Sequence, residues 1–354
     1  MRRRLLTAVA LTAGLFSTVL TSQAAFAASG PTVGGDVSRH QETTGLPPLA
    51  DFEVVAVNSG LPTGWNPFVI DQLNWASNAP GAGHSRVDVY VASANPTPKA
   101  ASWWPSTNKT RAGVKVRSPY GSCTGGATRA CSWVYGNSLA RDDVASFSSP
   151  VPIGRWWIDI EGGAAGNSWS SSKTRNRAVV EGMTTALQSA KKNVGIYALS
   201  NQFDDLIGSA PSSSVLHSLP SWVAGFTKQA SAFKRCSGAP LTAGRLQLVQ
   251  WTEDGGLTDH DVACAVLTKA PKPKISGHYR VGGKLTAKPG SWGPGSVHLA
   301  YRWTRDGRDI AKATHKTYVL KKADKRHRIA VTVTATETGY SRLVKKSASH
   351  RIAS

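Results

Sequence analysis

The stretch Arg155-Trp156-Trp157-Ile158-Asp159-Ile160-Glu161-Gly162-Gly163 decides the fold. It is a short apolar run, rich in aromatic and β-branched residues, that closes on two carboxylates and a glycine pair, the pattern of a buried strand delivering acids to a cleft. Side chains alternate along a strand, so Asp159 and Glu161 share one face while Ile158 and Ile160 take the other. An uncompensated carboxylate is costly to bury, so two of them at a strand end imply a polar cavity. There, mutual repulsion or an apolar neighbour holds one protonated. Such a pair suits glycoside hydrolysis, in which a carboxyl group gives a proton to the leaving oxygen. Acid-x-acid spacing recurs at Asp51/Glu53 and Asp259/Asp261, so spacing alone does not make a site; the surrounding elements must.

On the N-terminal side, residues 34–41 form a β-like start with Asp36 near its end, and residues 53–58 an apolar strand. Asn66 is placed to cap a helix over 66–76, with Pro67 at its first position. Residues 86–92 read as a strand again. Residues 97–149 read as irregular and polar, with Trp103, Trp104, Trp133, Tyr120 and Tyr135; excursions of this length are usually binding loops. On the C-terminal side a helix is expected over 172–192, with Ala178, Val179, Met183, Ala186 and Leu187 on one face. Strands follow at 194–198, 221–226 and 246–251, with a short helix over 202–207. About eight apolar strands alternating with helices predict an α/β fold with a parallel sheet closed into a TIM-like (β/α) barrel. An open doubly wound sheet, the next choice, wants a glycine-rich phosphate loop that the chain lacks.

Beyond the linker 270–274 (Ala-Pro-Lys-Pro-Lys) the period changes to two. Residues 299–304 and 329–335 alternate, with an Asp306-Gly307 turn between them, which predicts a small all-β sandwich over 275–354 around Trp303. Charge divides at the same place. From Pro271 onward there are 19 Lys or Arg against 4 Asp or Glu, net +15, whereas residues 28–270 hold 20 against 17, net +3.

Arg2-Arg3-Arg4, an apolar run over 5–20 and Ala25-Phe26-Ala27 have the three parts of a secretory signal peptide, residues 1–27, and predict a secreted or wall-associated protein. The run is too short and too rich in Thr and Ser for a membrane span. In that oxidising setting Cys123, Cys131, Cys236 and Cys264 are expected as two disulfides, most simply 123 with 131 and 236 with 264. A zinc site finds no Cys-x-x-Cys spacing, a serine hydrolase no Gly-x-Ser-x-Gly. No metal or cofactor is expected, and the tail lacks an aromatic-basic motif for nucleic acid.

In order, Gly35-Asp36-Val37-Ser38 with Gln41, Asp159-Ile160-Glu161, Val194-Gly195-Ile196-Tyr197, Trp222-Val223-Ala224, and Gln250-Trp251 ahead of Asp259-His260-Asp261 resemble glycoside hydrolase family 25. The resemblance covers residues 33 to 264, within a barrel domain over 28–269, and is nearest to secreted actinobacterial relatives. It implies a modified barrel of eight strands with fewer helices and a muramidase-like activity on peptidoglycan. It makes Glu161 the general acid/base and Asp159 an ionised partner, stabilising the oxocarbenium-like centre or orienting a 2-acetamido group. Asp36 and Asp261 would complete the acidic floor. Tyr197, Trp222, Trp251, Trp103 and Trp104 are candidates for substrate binding, since an aromatic face suits a pyranose. Where those relatives carry aromatic and Pro residues and a Cys, this chain has Arg39, His40 and Glu42, so the cleft shape there is not implied. Residues such as Gly290-Ser291-Trp292 and Tyr301-Arg302-Trp303 are similar to bacterial immunoglobulin-like repeats, which implies a spacer or wall-adhering module whose positive charge meets anionic wall polymers. A barrel that binds wall carbohydrate without turnover is the alternative function.

Overall fold

The computed structural model describes residues 32–41, 45–79, 87–162, 168–253, 258–294, 297–337 and 339–353. The expected leader, residues 1–27, lies outside them, as do Glu42 and Gly163.

Strands β1 (Val33–Val37), β2 (Phe52–Ala56), β3 (Val87–Ala92), β4 (Ile153–Ile160), β5 (Val194–Leu199), β6 (Ser221–Phe226), β7 (Leu246–Glu253) and β8 (Thr258–Ala263) pair in chain order and close into a barrel. β1 to β7 run parallel. β8 departs from the expected repeat and pairs antiparallel with both β7 and β1. Only residues 254–257 separate β7 from β8, too few for the crossover that a parallel partner needs. Alternation sets the two faces of the wall. Phe52, Val54, Trp157, Tyr197, Trp222, Leu248 and Ala263 fill the interior, while Val55, Val89, Trp156, Ile158, Ile160 and Ile196 belong to the outer layer packed against helices.

That outer layer is supplied by α1 (Val69–Ala76), α2 (Arg129–Ser146), α3 (Lys173–Ser189), α4 (Ser200–Leu206) and α5 (Gln229–Arg235). Asn66 sits before α1 but caps the loop. Its Oδ1 accepts from Phe68 N at 3.1 Å and its Nδ2 donates to Ala56 O at 2.8 Å. The 18-residue α2 corrects the irregular reading of residues 97–149. Every residue from Ala130 to Ala140 is buried, so no polar stripe marks the helical period. Thr128 caps it by accepting from Cys131 N at 3.2 Å, and the Cys123–Cys131 disulfide ties the preceding loop to its first turn. The second disulfide, Cys236–Cys264, joins the end of α5 to the segment after β8. α2 and α3 cross at two glycines: a Cβ on Gly136 would stand 2.0 Å from Val179 O, and one on Gly182 2.1 Å from Trp133 O.

From β9 (Lys274–Gly277) onward the chain forms two antiparallel sheets, one of β9, β10 (Lys284–Lys288) and β13 (Thr317–Val319). The larger sheet is built on β11 (His298–Arg305), β12 (Arg308–Asp309), β14 (Arg328–Glu337) and β15 (Tyr340–Lys346). Both contribute to one core in which Trp303 is fully buried; Ala265 and Leu267, from the barrel side of the expected linker, pack into it too. The tail is fixed to the barrel through Arg245 Nη1 to Tyr340 OH at 2.8 Å, Ser341 N to Ala265 O at 2.7 Å and Arg342 N to Thr32 Oγ1 at 2.8 Å. Thr32 precedes β1 and Arg245 precedes β7, so the tail meets the end of the barrel where the parallel strands begin. Among the described residues no helix is long and apolar enough to cross a membrane.

Candidate functional site

β4 delivers its acids as alternation requires. Trp157 and Asp159 face inward, and Glu161 follows directly after the strand on the same side, while Trp156, Ile158 and Ile160 pack outward. The backbone there is pinned from three directions. Ser93 N and Oγ donate to Asp159 O at 3.0 and 2.5 Å, Trp169 Nε1 donates to Glu161 O at 2.7 Å, and Gly162 N donates to Gln202 Oε1 at 3.0 Å. Asp159 and Glu161 open into a cavity of about 550 Å³ at the ends of the parallel strands, shared with Asp36, Tyr90, Tyr197, Trp222, Gln250 and Asp259.

A hydrogen-bonded chain crosses this cavity. Gln250 Nε2 donates to Asp36 Oδ2 at 2.8 Å, and the Tyr197 hydroxyl lies 2.9 Å from Gln250 Oε1 and 3.3 Å from Glu161 Oε1. A phenol has one proton, so Tyr197 donates to one of these at a time. When it serves Gln250, a protonated Glu161 can donate to the Tyr197 oxygen. Across the barrel, Thr252 Oγ1 donates to Asp259 Oδ1 at 3.0 Å.

Burial dominates the electrostatics of the cavity. Burial pushes the Glu161 carboxyl above its ordinary range against the lowering effect of the Tyr197 contact. Burial, then repulsion from Glu161, pushes Asp159 well above its own, and its Oδ1 is buried without a partner. Both carboxyls are thus shifted toward the neutral form, and lying side by side they titrate as a pair. Asp36 and Asp261 are raised well above their ordinary range by burial and then by Asp259. None of the described salt bridges reaches these four carboxyls or Asp259.

Of the residues expected to act, Asp36, Asp159, Glu161, Tyr197 and Trp222 line this cavity. Asp261 does not. It faces inward one step deeper, pairs with Gly34 and Gln250, and is fully buried. Asp259, paired with Asp36, takes its place at the surface. Trp251 points to the outer layer among Val249 and Val262 and stacks on His260 with 5.0 Å between centroids. Trp103 and Trp104 stack on Tyr135 beside α2, away from these acids. Tyr90 and Gln250 were missed as site residues, although their inward phase on β3 and β7 is legible once those strands are set. Among the described residues no group of three or more His, Cys, Asp or Glu is arranged to hold a metal ion.

Glu53 carries a consequence for stability. Its Oε1 accepts from Ala50 N at 2.7 Å, its Oε2 is buried without a partner, and burial raises the carboxyl from 4.5 to about 7. Between those values the folded state keeps a proton that the unfolded chain releases, so this group's contribution is full below 4.5 and lost as pH rises through 7. The buried acids of the cavity add in the same direction. Thermal unfolding is expected at a higher temperature near about pH 5 than near about pH 8, with a shallower slope in Glu53→Gln. Equal slopes in the two proteins would remove Glu53 from the explanation.

No family model matches the sequence, and no curated protein matches it. Solved structures similar to the chain include the spore cortex lytic enzyme of Clostridium perfringens, with TM-score 0.41 and 12% identity over 92% of this chain and 98% of that one. The family 25 lysozyme of Aspergillus fumigatus gives TM-score 0.39 and 13% identity over 65% of this chain and 92% of that one. The bacterial lysozyme of Streptomyces coelicolor gives TM-score 0.38 and 14% identity over 66% and 92%.

Proposed function

We propose that this protein is a secreted glycoside hydrolase that cleaves β-1,4 bonds in the glycan of peptidoglycan. The observation that carries the reading is Glu161. It is a carboxyl with a raised pKa at the open end of a closed barrel, held beside Tyr197 and facing a cavity with three further acids. A carboxyl shifted above its ordinary range holds its proton to higher pH, which favours a general acid. Glu161 gives that proton to the glycosidic oxygen as the bond to the sugar's C1 breaks. It then takes one from the water that completes the hydrolysis. In this reading Asp159, which lines the same cavity, works in its ionised form, stabilising the oxocarbenium-like centre or orienting the substrate's 2-acetamido group. The substrate class comes from the ordered motifs of the sequence.

The two-sheet tail is proposed as an immunoglobulin-like module. Its net charge of +15 draws it to anionic wall polymers through a salt-sensitive attraction. Release of reducing ends from purified peptidoglycan by the mature protein tests the enzymatic reading. No release across several wall types and pH values would overturn it and leave a wall-binding barrel.

A further inference from the structure

A second cavity, of about 410 Å³, lies between α2 and the loop over 59–65. That loop serves two sites. Ser59, Gly60 and Leu61 line the acid cavity, whereas Pro62, Thr63, Gly64 and Trp65 line this one. The two cavities thus lie on consecutive residues of one loop.

Its walls combine aromatic faces with polar groups. Trp65 is 40% exposed and Trp103 half-buried. Trp103 stacks on the buried Tyr135 with planes 19° apart, and Trp104 stacks on the same ring at 26°. The platform is thus backed by packed rings and loses little freedom on binding. Asp142, Asp143 and Arg111 supply the polar side. Asp143 is 8% exposed, and its Oδ2 has no hydrogen-bond partner. Burial raises the pKa of Asp142 against the lowering effect of Arg111, and burial with Asp142 beside it raises that of Asp143 well above the ordinary range against the lowering effect of Asn58. Carboxyl oxygens that accept and a guanidinium that donates, set between aromatic faces, suit a polyhydroxylated ligand.

We propose that this cavity is a saccharide subsite, taking a neutral pyranose unit of the same glycan strand whose bond lies at Glu161. The identity of the strand rests on the hydrolase reading, while the subsite itself is defined by binding. It is tested with soluble, peptide-free glycan strands from peptidoglycan, titrated into Glu161→Gln protein so that no cleavage intervenes. Trp65→Ala and Trp103→Ala, each added to that background, are expected to weaken binding by about tenfold, the loss of one stacking face. Trp65 is the safer site for folding, being exposed, and circular dichroism checks both variants. Unchanged affinity in folded Trp65→Ala protein, or no binding by the Glu161→Gln parent, overturns the subsite. Weakened binding by the variants, with no bond cleavage by the wild-type protein, keeps the subsite and removes the hydrolase.

Discussion

Reducing-end release from peptidoglycan is expected to fall about a thousandfold in Glu161→Gln, the range over which a positioned general acid acts. Gln fills the same space and keeps a side-chain oxygen for the contact with Tyr197, 3.3 Å away in the parent. What it removes is the transferable proton. The fold should not suffer. A carboxyl whose pKa burial raises is held at a cost whenever it ionises, and the amide carries no such cost. The variant should therefore unfold at the same temperature as the parent or slightly above it at neutral pH. Asp159→Asn separates the two acids. If release survives Glu161→Gln and disappears in Asp159→Asn, the proton donor is Asp159 and the assignment is reversed.

A second large effect is expected where nothing catalytic is touched. Gly182→Ala places a methyl group 2.1 Å from Trp133 O, and also 2.9 Å from Asn137 N, both backbone atoms of α2. Backbone cannot turn aside as a side chain can, so α3 must move off α2 or the crossing must open. Overpacking of this kind costs about 3 kcal/mol or more, even though Ala is the better helix former by about 1 kcal/mol. Gly136→Ala, facing Val179 O at 2.0 Å, should behave alike. Urea unfolding reads both, and a midpoint unchanged in Gly182→Ala would mean that the helices lie farther apart than described.

The barrel was legible because its strands are apolar on both faces, and the β4 motif was legible because its alternation is clean. Other readings failed for different physical reasons. The antiparallel β8 is decided by four intervening residues, 254–257, and not by composition. α2 is invisible to a search for one apolar stripe, because residues 130–140 are buried all round. Trp251 was offered as a sugar platform, but the odd–even phase of β7 sends it outward with Val249 while Gln250 turns in. Asp261 shows the limit of phase alone. It shares its face with Asp259, and depth along the strand, set by pairing with Gly34 and not with Asp36, decides which of them meets the cavity. The upward shift of both Asp159 and Glu161 likewise comes from burial, which neighbouring residues in the sequence do not report.

The junction of Tyr340 with Arg245, and of Arg342 with Thr32, lies where the parallel strands start, whereas the acids lie where they stop. Strands of six to eight residues, tilted in the wall, separate these ends by roughly 20 Å. The hydrogen bonds at the junction make the barrel an outrigger on the tail and not a bead on a string. Anything bound on the far side of the tail is therefore held at least a barrel's length from the acid cavity, at a distance set by the strands and not by a linker.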